Sequence, residues 1–168
     1  MTMPEQKIQK QNVGNAGEYY IASRLSALNF VVTITLGRAE KYDILALSSS
    51  GKLVKLSVKA TQVKNADGFP LSAKDESGQS DDFYYAFVRL NGFDIEPDFW
   101  VIPSKVVCPL IKTAHKKWED TLGKNGKKHG ISTVRWLPTV VKGSQAKYYQ
   151  KEWENEIQQY HKNLKQLL

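Results

Sequence analysis

The chain has 168 residues, 41% of them hydrophobic, 24% charged and 11% aromatic, which is the size and make-up of one globular domain with apolar mass enough for a core. Disordered, collagen-like and coiled-coil descriptions are thereby excluded, and no apolar run nears the ~20 residues of a membrane-spanning helix. The formal net charge of +7 is unevenly spread: residues 1–103 carry 11 Lys and Arg against 12 Asp and Glu, and residues 104–168 carry 13 against 5.

The lead-in MTMPEQKIQKQN lacks the apolar centre of a signal peptide. A single cysteine, Cys108, cannot close an internal disulfide, and the three scattered histidines give no zinc-ligand spacing. A reducing, cytoplasmic setting is expected.

Asn15–Asn29 predicts a helix, with Ile21, Leu25 and Leu28 at spacings of four and three as its inward stripe. The β-branched run Phe30–Leu36 predicts a strand ending at Gly37. Tyr42–Leu47 (YDILAL) and Leu53–Thr61 (LVKLSVKAT) predict a hairpin around Ser48-Ser49-Ser50-Gly51. Asp67–Gln79 reads as a Gly/Pro/Ser-rich excursion. Phe83–Leu90 (FYYAFVRL) is apolar on both alternating faces, the mark of a central strand. Phe99–Ile102 gives a further strand stopped by Pro103. Beyond it, Ser104–Leu122 suggests one or two short helices, Gly123–Gly130 a basic loop, and Ser132–Trp136 an edge strand. About Gln145–Leu168, a last helix would carry Tyr149, Trp153, Ile157, Tyr160, Leu164 and Leu167 in one stripe, to be covered by the domain or by a second copy in a homodimer. The order of helix, strands, then helices predicts an α/β or α+β sandwich around one mixed sheet, folded as a single domain over residues 1–168.

The basic second part points to a polyanion, because lysines beside phosphates release condensed counterions; the plain alternative is a solvated surface. Lys124, Lys127, Lys128 and His129 in the GKNGKKHG loop are the candidate phosphate contacts. Trp118 and Trp136 near it are candidates either for base stacking or for core.

The candidate chemistry lies earlier. Read as a strand, Leu53–Thr61 puts Val54, Leu56, Val58 and Ala60 on an apolar face and Lys55, Ser57, Lys59 and Thr61 on the other. The neighbouring strand holds Asp43 in an otherwise apolar run. A carboxylate and a lysine there are costly to bury unless they pair with each other or with a metal. Extending the helical stripe backwards from Ile21 reaches Glu18 and Gly14, while Gly14 and Gly17 would let the helix approach the sheet closely. Glu18 alone reads as a helix N-terminal acid. Together, Glu18, Asp43 and Lys59 could hold Mg²⁺ and position a water for phosphodiester hydrolysis.

The segments GNAGEYYIASRLSALNF, YDILAL and KLSVKAT, in that order, resemble the PD-(D/E)XK nuclease superfamily of restriction enzymes and Holliday-junction resolvases. FYYAFVRL followed by DFWVIP looks like its next strands. The resemblance covers roughly residues 12–105, leaving 106–168 as a basic helical elaboration. It implies a restriction-endonuclease-like mixed sheet flanked by helices, and a Mg²⁺- or Mn²⁺-dependent endonuclease acting on DNA. It also implies metal ligands at Asp43, position 57 and the Val58 carbonyl, with Lys59 activating water and Glu18 as an accessory acid. The sequence departs from the pattern at Ser57, where an acid is usual, and at Tyr42, where Pro is. A neutral hydroxyl binds Mg²⁺ poorly, so Asp43 and Glu18 would carry the metal. The alternative is a catalytically silent nucleic-acid-binding or protein-interaction module of the same fold.

Overall fold

A computed structural model describes residues 8–35, 42–62, 67–92, 94–123 and 126–168, the Ser144 side chain apart. The architecture is mixed α/β. A five-stranded mixed sheet runs in the order β1 (Val31–Ile34), β2 (Ile44–Leu47), β3 (Leu53–Gln62), β5 (Phe83–Leu90) and β6 (Asp98–Pro103). Helix α1 (Lys10–Ser26) covers one face, and α2 (Ser104–Asp120) covers the other. A two-stranded sheet of β4 (Gly68–Ser72) and β7 (Val134–Pro138) packs on the α2 side. No described helix is long and apolar enough to cross a membrane.

Helix α1 begins five residues before the predicted start and ends three before the predicted end. It ends because Asn29 takes a left-handed φ of 62° and the Phe30 N–H returns to the Leu25 carbonyl, satisfying an orphan acceptor of the last turn. Ile21 and Leu25 are fully buried against the sheet, each worth about 1.5–3 kcal/mol of apolar burial.

The β2–β3 hairpin forms as expected, closed at Gly51 with a φ of +85°. Parallel pairing of β3 with β5 and antiparallel pairing of β5 with β6 make β5 the strand buried on both faces. Its Tyr84, Ala86 and Val88 join the α1-side core, and Phe83, Tyr85 and Phe87 join the α2-side core. The predicted excursion at Asp67–Gln79 is instead ordered, forming β4 and a 3-10 turn over Ala73–Glu76.

Helix α2 is one 17-residue helix that accommodates Pro109 in its second turn. The last predicted helix does not form as one. Residues 143–168 fold as 3-10 turns at Gly143–Lys147, Ile157–Tyr160 and Lys165–Leu167 around the single turn α3 (Trp153–Glu156). Tertiary hydrogen bonds take the backbone away from the helix. Trp153 Nε1 donates to the Pro138 carbonyl at 2.9 Å, the Tyr149 hydroxyl to the Trp136 carbonyl, and the Lys162 N–H to the Phe99 carbonyl at 2.8 Å. Of the two covers expected for the apolar stripe, the domain itself supplies it: Tyr149, Trp153, Ile157, Leu164 and Leu167 are all buried within the chain.

Candidate functional site

The site is built where α1 crosses β3. A Cβ added at Gly17 would lie 2.6 Å from Ala60 Cβ and 3.5 Å from Val58 Cγ1, so the helix backbone rests directly on the strand. Gly14, expected to share that role, faces open space. The seat at Gly17 brings the next residue, half-buried Glu18, to the sheet. Burial holds the Glu18 carboxyl above the ordinary carboxylate range, and the nearby charge of Asp43 raises it further.

Asp43 lies one residue before β2. Its N–H donates to the Leu56 carbonyl at 2.8 Å, and its Oδ2 accepts the Val58 N–H at 2.6 Å. The carboxylate thus takes over the ladder where β2 has run out. Since the Leu56 carbonyl and the Val58 N–H both face the β2 side, strand alternation turns the Val58 carbonyl the same way. Glu18 thus senses the charge of Asp43 at this rim, and the Val58 carbonyl faces the same edge of β3.

The amine of Lys59 is held elsewhere. Ser57 and Lys59 project from the opposite face of β3 to Val58 and Ala60, which pack on the α1 side. Lys59 Nζ donates to Ser57 Oγ at 3.0 Å and lies 3.9 Å from Asp75 Oδ1. Among the described residues, no hydrogen bond or ion pair links Lys59 to Asp43 or Glu18.

Asp75 is the residue that sequence reasoning missed. It is the buried residue of the 3-10 turn, and its Oδ2 accepts the Ser72 N–H at 2.8 Å and the Ser72 hydroxyl at 2.9 Å. Its Oδ1 accepts the Tyr85 hydroxyl at 3.2 Å. Burial, reinforced by the Asp75 charge, pushes the Tyr85 phenol far up, so it stays a donor. The spacing Ser72-x-x-Asp75 is a capping pattern that could have flagged the turn, although nothing in it points to Lys59.

In the basic loop, Lys127 and Lys128 are exposed and Lys124 lies outside the described residues. His129 stacks on Trp118 with centroids 4.1 Å apart, and Trp118 stacks in turn on His115 at 5.1 Å. Trp118 therefore serves packing, and His129 is tied to it.

Among the described residues, no group of three or more His, Cys, Asp or Glu side chains forms a metal cluster. Two carboxylates and a main-chain carbonyl are nonetheless the hard oxygen donors that Mg²⁺ prefers. The mutual repulsion of Glu18 and Asp43 is the electrostatic condition that a cation relieves. The donor set fits a divalent ion.

No family model matches the chain, and no curated protein matches it. Among solved structures, the bacterial homing endonuclease I-Ssp6803I superposes with a TM-score of 0.46 at 16% identity, over 92% of this chain and 95% of that one. A likeness of that strength is silent about chemistry.

Proposed function

We propose that the protein is a divalent-metal-dependent endonuclease acting on DNA. The observation that carries this reading is the approach of Glu18 to Asp43 at the rim where Asp43 replaces the end of β2. Glu18, Asp43 and the Val58 carbonyl would hold Mg²⁺ or Mn²⁺. Bound there, the ion supplies charge neutralisation at the scissile phosphate and a more acidic water. Asp43 is fixed for this work by the Val58 N–H. Lys59, the residue after Val58, is held on the far face of β3 by Ser57 and Asp75, so it would lend a bound phosphate positive charge through the field across the strand rather than an amine at the metal. Exposed Lys127 and Lys128, with the rest of the basic second part, hold the phosphate backbone.

A second reading has its own support. Lys59 is engaged by Ser57 and Asp75, and position 57 lacks the acid usual in the superfamily that the segments resemble. A protein that keeps the binding surface without the chemistry would look this way. Plasmid nicking in Mg²⁺ or Mn²⁺ separates the two. Activity abolished in Asp43→Ala and Lys59→Ala, with DNA binding retained, supports the enzyme. Salt-sensitive DNA binding without nicking, unchanged by either substitution, leaves the binding module. Ser57→Glu sharpens the test: with Glu18 already completing the ligand set, the added acid is expected to raise metal affinity little.

A further inference from the structure

A separate cavity of about 260 Å³ opens on the α2 side of the sheet, between α2, β7 and the 3-10 turn Gly143–Lys147. We infer that it receives an unpaired base of single-stranded nucleic acid.

Four observations lead there. First, His115, Trp118, Trp136, Tyr148 and Tyr149 all line the cavity. Such aromatic walls take a planar ring, and stacking tolerates any base because every base has a π-face. Trp118 is held by its stacks on His115 and His129 and bounds the cavity without taking the base. The Tyr149 hydroxyl is anchored to the Trp136 carbonyl, so the walls are pre-formed, and Trp136 and Tyr148 are the rings that would stack on it.

Second, the volume lies just below the roughly 300–1,000 Å³ of sites for drug-sized ligands, which suits one small ring system.

Third, Gln145 lines the cavity and its Oε1 is buried with no hydrogen-bond partner. A turn of that amide toward the cavity would let it meet the donors and acceptors on a base edge; a hydrocarbon ligand would leave it unsatisfied.

Fourth, the charge suits a nucleic-acid strand. No lining residue is acidic; Glu119 meets His115 at 3.3 Å, and Glu76 pairs with Arg135. Lys127 and Lys128 are exposed in the loop that His129 fastens to Trp118. A base in the cavity would carry its phosphates past those lysines, which favours a strand over a free base. The inference does not rest on the hydrolytic groups Glu18, Asp43, Val58 and Lys59, although Lys127 and Lys128 serve both readings.

The test uses the full chain with a labelled 12-nucleotide single strand, the matching duplex, and free AMP. The single strand is expected to bind more tightly than the duplex, and AMP to bind far more weakly than either. Tyr148 is half-buried, and Tyr148→Ala should weaken single-strand binding between about 5-fold and about 150-fold, the range for one stacked base, while leaving the duplex unchanged. Lys127→Ala with Lys128→Ala should weaken both and flatten the salt dependence. A 2-aminopurine in the single strand should lose fluorescence on binding the unaltered protein, a readout independent of any variant's folding. Equal binding of strand and duplex with no effect of Tyr148→Ala, or an unquenched 2-aminopurine, would overturn the inference. AMP binding as tightly as the strand would likewise overturn it, by making the cavity a free-nucleotide site.

Discussion

Gly17→Ala probes the contact that places Glu18, and Gly14→Ala supplies its control. Both glycines lie in α1, so each substitution gains about 1 kcal/mol of helix propensity. They differ in what the new methyl meets. At position 14 nothing lies within 4 Å, and the full gain is expected as added stability. At position 17 the methyl would sit 2.6 Å from Ala60 Cβ, a rigid stub on a central strand that cannot turn aside. Overpacking of this kind costs about 1–3 kcal/mol. The propensity term cancels between the variants, so Gly17→Ala should be less stable than Gly14→Ala by about 1–3 kcal/mol, the size of the overpacking cost alone. Urea unfolding followed by circular dichroism measures this directly, and a constant m-value guards the comparison. Equal stabilisation by both would refute the seating of α1 on β3. The same displacement should carry Glu18 away from Asp43, so Gly17→Ala should also bring the Glu18 titration back toward ordinary values.

Two further predictions concern the carboxylates. Glu18 binds its proton more tightly folded than unfolded, so stability should fall as pH rises from the ordinary carboxylate value to the raised one and stay level above it. Glu18→Gln should flatten that window and be the more stable protein at neutral pH; identical pH–stability curves would show that neither burial nor Asp43 perturbs Glu18. Asp75→Asn removes the negative partner of Lys59 and weakens the cap on Ser72, and should cost about 1–3 kcal/mol in urea unfolding. If Asp75 positions Lys59, nicking should fall in this variant while metal affinity holds; a parallel loss of both would mean that the fold itself has suffered.

Much of the sheet was legible in the sequence because its patterns are local. FYYAFVRL carries its two-sided burial in its own composition, and YDILAL and LVKLSVKAT are separated by turn residues that a hairpin needs. A close approach was expected at Gly14 and Gly17 alike, and the local pattern could not tell them apart: only Gly17 meets the strand. What escaped depends on partners distant in sequence. The stripe from Tyr149 to Leu167 has helical spacing, yet tertiary bonds to Pro138, Trp136 and Phe99 break it into short turns. β4 escaped because its partner, β7, lies more than sixty residues away. Glu18 and Asp43 could be paired from periodicity and strand order, but nothing local shows that Asp75 arrives beside Lys59 from an intervening turn.

The route of residues 161–167 has a consequence for biosynthesis. His161 bridges to Trp100, the Lys162 N–H reaches the Phe99 carbonyl, and Gln166 Nε2 donates to the Val101 carbonyl at 2.7 Å, so this segment lies along the outer border of β6. Trp153 and Ile157 belong to the α2-side core, whereas Leu164 and Leu167 belong to the α1-side core. The tail is thus a clasp that wraps one border of the sheet and fastens both halves of the molecule. Until it emerges from the ribosome, the β6 border stays bare, a template for aggregation of nascent chains.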